Sequence, residues 1–181
     1  MPVAGGGFEQ SYNAQAAVAA GSMLVVAVDV VQAPNDKQQL EPMLGKVGAL
    51  PQELGEAETL LADTGYFSAR NVEACEKAGV EPLIAMGRQP HDPPLEERFE
   101  PTPPAPKNPT PVERMAHRAK TPEGRDLYAL RKQTPEPVFG IIESVLGFRQ
   151  FSMRGLEKVR GEWSLVTMAW NMKRMFVLNP A

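Results

Sequence analysis

Two carboxylates stand in settings that suit chemistry. Asp63 closes an apolar run, Leu60-Leu61-Ala62-Asp63, and is followed by Thr64-Gly65-Tyr66-Phe67-Ser68. Glu136 opens another, Glu136-Pro137-Val138-Phe139-Gly140. One acidic side chain at the end of a buried strand and a second at the start of a helix can gather a divalent cation and a phosphate. Hard cations take carboxylate oxygens and keep open positions for substrate. Two such ions can activate an attacking oxygen and stabilise a leaving one in an in-line displacement. A strand-end Asp taken alone is not evidence of catalysis, so the surrounding pattern has to decide. Tyr66 and Phe67 read independently as packing residues that fix the entry to the next helix.

The elements that must position these groups are legible as an alternation. Residues 13–18 and the β-branched run 23–31 read as a hairpin whose second strand is buried on both faces. Asn35 reads as the cap of a helix from Asp36 to about Val47, although Pro42 falls within it. Residues 58–62 form a short strand, Ser68 caps a helix over 69–78, Gly79 ends it, and Val80–Met86 is another strand. Helices alternating with short strands imply an α/β sheet with parallel neighbours. Nine prolines then fall between Pro90 and Pro111. Residues 88–120 are therefore expected to be a linker or long disordered insertion. Helical patterning resumes over 122–132, 136–146 and roughly 155–177. The last segment carries one stripe of Trp163, Val166 and Trp170 and another of Leu165, Ala169, Met172 and Phe176. Such a helix is buried or expects a partner, and core packing is the simpler role for both Trp residues.

Bulk properties bound the function. The 181 residues, 43% hydrophobic, suffice for one domain or slightly more. No run of 18 or more apolar residues suggests a membrane span, and the N-terminus has no basic or apolar signal segment. The single Cys75 cannot close an internal disulfide, which fits a reducing cytoplasm; at helical spacing from Val72 it reads as a small buried apolar residue. A net charge of −3 argues against a nucleic-acid binder. The distribution argues differently: residues 1–111 carry seven Lys/Arg against fifteen Asp/Glu, and residues 112–181 carry twelve against seven. A basic C-terminal third can touch a phosphate backbone or can simply be a solvated helical surface.

The order of several segments narrows the choice. Gly7-Phe8-Glu9-Gln10-Ser11-Tyr12-Asn13-Ala14-Gln15 is followed by Asn35-Asp36-Lys37-Gln38-Gln39-Leu40 and by the Asp63 and Glu136 segments. Gly147-Phe148-Arg149-Gln150-Phe151 and Arg154-Gly155-Leu156-Glu157-Lys158 complete the series. Together they resemble bacterial insertion-sequence transposases of the DDE class, over nearly the whole chain outside the Pro-rich stretch. The resemblance implies an RNase H-like mixed sheet flanked by helices, in which three carboxylates hold two Mg²⁺ ions. It makes Asp63 the second Asp and Glu136 the Glu of that set, both metal ligands. It aligns Tyr128 and Arg131 with the Tyr and Arg of a Y-R-E-K signature, with Lys132 as the alternative to Arg131. Tyr128, Arg131, Lys132, Arg149 and Arg154 are then the residues expected to face DNA. The implied organisation is a truncated core over 1–87, the Pro-rich insertion 88–120, and a helical C-terminal part over 121–181.

Three departures accompany the resemblance. The first Asp of the set belongs on a strand before the Tyr-Asn-Ala-Gln segment, and Met1 stands only a few residues ahead of it. Met1 thus reads as an internal methionine, and the sheet as lacking its first strand; Asp29 reads as structural or exposed. Glu143 occupies the place of the signature Lys, about 10 Å and two turns along the helix from Glu136, on the same face. Pro135 and Pro137 flank Glu136 and are expected to hold Thr134 and Glu136 in extended geometry. The leading reading is a DDE transposase fragment, inactive alone, whose partner is DNA at element ends. The alternative is a regulator that binds DNA or pairs with full-length transposase; a third is a remnant that does not accumulate.

Overall fold

The computed structural model describes residues 2–3, 7–8, 11–87 and 102–179. The chain divides into two compact units, residues 1–36 with 132–181, and residues 37–131. Among the described residues the architecture is mixed α/β, with three two-stranded ladders and six α-helices.

The first unit contains β1 (Pro2–Val3) and β2 (Gly7–Phe8), paired antiparallel, and the hairpin β3 (Asn13–Val18) with β4 (Val25–Val31). The hairpin register runs from Asn13 opposite Val31 to Ala17 opposite Ala27, then slips so that Val18 faces Val25. Its turn closes with Met23 N–H donating to Ala19 O at 2.7 Å. The expected burial of β4 on both faces is corrected: only Val25 and Val30 are buried. One layer of helix covers this two-stranded ribbon, so residues on its other side keep partial contact with solvent. Two later helices, α5 (Pro135–Ser144) and α6 (Leu156–Leu178), complete the unit. Its core joins Val30, Val138, Ile142, Val159, Trp163 and Trp170.

Polar side chains of α6 answer the hairpin's backbone. The Asn171 amide both accepts from Val25 N–H (2.8 Å) and donates to Val25 O (2.7 Å). The Trp163 and Trp170 indoles donate to Gln15 O and Met23 O, and Arg174 donates to Ser22 O. Buried backbone groups that lack a strand partner need such answers, because each one left unmet costs about 1–3 kcal/mol. Both Trp residues are therefore core, as expected.

The second unit holds α1 (Leu40–Gly48), a 3₁₀ turn, β5 (Thr59–Ala62), α2 (Ala69–Lys77), β6 (Glu81–Ile84), α3 (Pro111–Arg118) and most of α4 (Pro122–Gln133). β5 and β6 run parallel, Thr59 opposite Glu81 through Ala62 opposite Ile84, with α2 as the crossover. Leu40, Leu44, Val72, Cys75, Ile84 and Met115 make the core. Cys75 is fully buried, and loss of solvent pushes its thiol up to about 11, the bland role expected of it. Ser68 Oγ caps α2 through Asn71 N–H, and the helix ends in a Schellman turn at Gly79, φ +73°.

Three local expectations are corrected. α1 begins at Leu40 and not at Asp36, because the Asp36 carboxylate accepts from the Asn13 and Gln15 side-chain amides and Asn35 caps nothing. Pro42 is harmless there, since the first-turn N–H groups have no helical acceptor. Within 88–120, residues 88–101 lie outside the described residues, but 111–118 are helical. Thr110 and Glu113 form a reciprocal capping box, Pro111 sits at the first helical position, and Met115 is buried. Thr134 is not extended: it is buried with φ −116° and ψ −73°, because α4 runs almost directly into α5 and Pro135 accepts the role of first helical residue.

Candidate functional site

Asp63 follows the last residue of β5. Its backbone is extended and its Oδ1 accepts Gly65 N–H at 2.8 Å, capping the turn Thr64–Tyr66. The carboxylate is solvent-exposed. Tyr66 and Phe67 pack on the core behind it, so the rigid parallel pair fixes where Asp63 points. On α4, the Tyr128 hydroxyl makes a long 3.4 Å contact to Ala62 O, the residue before Asp63. One turn on, the Arg131 guanidinium lies 5.7 Å from the Tyr128 ring centroid. The second unit thus gathers Asp63, Tyr128 and Arg131 at one strand end. Lys132 follows, exposed.

Glu136 lies in the first turn of α5, exposed, where the helix N-terminus favours an anion. Val138 and Ile142 bury the opposite side of the helix. Farther along, Phe139 and Glu143 face a cleft of about 720 Å³, lined also by Tyr12, Phe148, Phe151 and Trp163, with Arg149 and Arg154. Asp29 is structural, as expected: it is mostly buried and pairs with Arg160 at 2.9 Å.

One cluster escaped the sequence reading. Asn13, Gln15 and Asp36 meet: both amides donate to Asp36 Oδ1, and Gln15 also donates to Asn13 Oδ1. The motif residues Tyr-Asn-Ala-Gln and Asn-Asp, more than twenty positions apart, are thus parts of one network. Alternation along β3 hinted at it only by putting Asn13 and Gln15 on the same face.

A family model for the transposase DDE domain matches residues 3–172. The chain belongs to this family of DDE-class transposases. No curated protein and no solved structure matches it. For this transposase domain, divalent-metal chemistry is the family's usual means, and Asp63 and Glu136 carry the oxygen donors such ions take. Within neither unit do three or more His, Cys, Asp or Glu side chains among the described residues gather to hold a metal. Among the described residues, no helix is long and apolar enough to cross a membrane.

Proposed function

We propose that this chain handles DNA as part of DDE transposition, on an RNase H-like scaffold, with Asp63 and Glu136 as carboxylates directed at Mg²⁺. The family match over 3–172, which includes both residues, is the observation that carries this reading. A divalent ion would supply Lewis acidity toward a phosphodiester. The chain's own part is to hold Asp63 rigidly at the end of β5, to brace that strand end through Tyr128 and Arg131, and to present Glu136 at a helix N-terminus. Among the described residues no three metal-ligating side chains gather, and on this reading the chain alone does not cut DNA. Tyr128, Arg131, Lys132, Arg149 and Arg154 contact the DNA backbone, and the protein works in the cytoplasm.

The test is a duplex-DNA titration at several salt concentrations. Log affinity should fall linearly with log salt, with a slope of about −0.9 per phosphate contact. The Arg149→Gln/Arg154→Gln double variant should flatten that slope by about two contacts. Binding that ignores salt, or is unchanged in the double variant, contradicts the reading.

A second reading is favoured by α6. Leu165, Met168, Met172, Met175 and Phe176 are all exposed along this helix, Phe176 at 77%. Spaced three and four residues apart, they form a seam suited to another helix. In this reading the chain pairs with full-length transposase and regulates it.

A further inference from the structure

Asp63 can serve a cation only if the turn that carries it keeps one shape, and a buried amide behind that turn supplies the hold. We propose that Asn71 is a positioning residue for Asp63, fixing the Asp63–Tyr66 turn from the first turn of α2. This rests on the reading of Asp63 as a carboxylate directed at a divalent ion, and it says what keeps the carboxylate so directed.

Residue type is the first sign. Asn is a poor helix former, yet it stands in α2 beside the buried Val72 and is itself only 2% exposed. Buried polar groups are hydrogen-bonded, so the partners show what this amide is for. Its Nδ2 donates to Tyr66 O at 2.6 Å and to Lys37 O at 2.8 Å. One nitrogen thus spends both its N–H groups on the carbonyls of two separate segments. No other side chain of this size does that: an ionised Asp has no donor, Leu has none, and Ser has one.

The turn's own bonds shape it without anchoring it. Asp63 Oδ1 accepts Gly65 N–H at 2.8 Å, while Tyr66 N–H and Phe67 N–H donate to Asp63 O and Thr64 O at 3.2 and 3.1 Å. Outward, Thr64 Oγ1 reaches Gly87 O only at 3.3 Å. Tyr66 and Phe67 pack on the core, but apolar packing is non-directional and does not orient a carbonyl. The neighbouring Arg70–Glu41 pair, 2.7 Å apart, is exposed at both ends and contributes little.

Asn71 adds the missing anchor. It ties the far end of the turn to the segment that leads into α1, so the turn cannot swing away from the end of β5. With Oδ1 spent on Gly65, Oδ2 is the oxygen left to a cation. Groups that orient a metal-ligating carboxylate typically change metal affinity 10–100-fold when lost.

The experiment reads the isotope-labelled full chain by NMR. In the parent, the Asn71 side-chain N–H groups should show couplings across hydrogen bonds to the carbonyl carbons of Tyr66 and Lys37. That measurement needs no variant and stands even where one fails to fold. Without metal, the amide order parameters of Thr64 and Gly65 should lie near the rigid value of about 0.85 and fall to about 0.6 or below in Asn71→Ser. Ser68→Ala removes the α2 cap but not the Asn71 anchor, and should leave them near about 0.85. Added Mn²⁺ should broaden the Gly65 amide before that of Gly55. Half-broadening in Asn71→Ser should need on the order of tenfold more Mn²⁺. Missing couplings in the parent, unchanged order parameters in Asn71→Ser, or an equal fall in Ser68→Ala would overturn the proposal. So would the same Mn²⁺ dependence in parent and Asn71→Ser. A parent that shows no selective broadening, with the turn loosened in Asn71→Ser, would overturn the metal reading of Asp63 and leave the anchor standing.

Discussion

Single side chains show how far residue type alone carries the reading. Asp63 and Glu136 were legible because their apolar neighbours marked a strand end and a helix start, and the structure finds both settings. Glu162 was not, because its partners lie nine and ten residues away in an irregular loop that no periodicity describes. Partial desolvation opposes ionisation of Glu162, but hydrogen bonds from Ser152 and Met153 outweigh it and hold the carboxyl below its usual range. The contribution of this latch is therefore present above about pH 4.3, the ordinary Glu value, and lost as pH falls through the lowered folded value. Protection of the Ser152 and Met153 amides, measured relative to intrinsic exchange at each pH, should be high at neutral pH and fall only below that range. In Glu162→Gln that protection should be lower at pH 7 and should not change further in acid. Exchange in the parent that is already fast at pH 7 would remove the latch.

Elements were read best where they carry their own chemistry and worst where tertiary partners intervene. α2 announced itself by Ser68 and Gly79, and the hairpin by its β-branched run. Thr110 and Glu113 have the residue types of a capping box, but the many prolines around them point to a linker, which is what the sequence predicts for 88–120. In fact Pro111 helps to start that helix. The late start of α1 could not be read, because it depends on Asp36 being held by residues of another strand. At the start of α4, Gly124 donates to the Thr121 hydroxyl, and a Cβ there would stand 1.9 Å from Arg118 O. Gly124→Ala should destabilise the fold by about 1–3 kcal/mol or more, as overpacking does. Gly140→Ala on α5, where a Cβ meets nothing within 4 Å, should be neutral or stabilising by up to about 1 kcal/mol. Denaturant midpoints of the two variants check this; equal midpoints would mean that the α3–α4 corner yields freely.

At the scale of the whole molecule, composition fixed the class of chain but not its division. The hairpin and the C-terminal helices belong to one unit and the parallel pair to another, because α6, 125 residues after β4, supplies the hairpin's core and its hydrogen bonds. No local pattern encodes such a long connection. The same helix leaves Leu165, Met168, Met172 and Met175 exposed, and if that seam pairs with a transposase, Met172→Glu should abolish co-elution with a full-length relative. Retained co-elution would assign the pairing elsewhere. The chain belongs to the DDE transposase family, and the reading proposed for it is that Asp63 and Glu136 do not by themselves make a working set. Removing one member of a cooperating set removes most of the rate. The direct measurement is cleavage of supercoiled plasmid bearing cognate element ends, in Mg²⁺ and in Mn²⁺. No nicking above a no-protein control is expected from the chain alone, with DNA binding retained. Robust nicking that vanishes in Asp63→Ala and in Glu136→Ala would show a complete catalytic set and contradict the account.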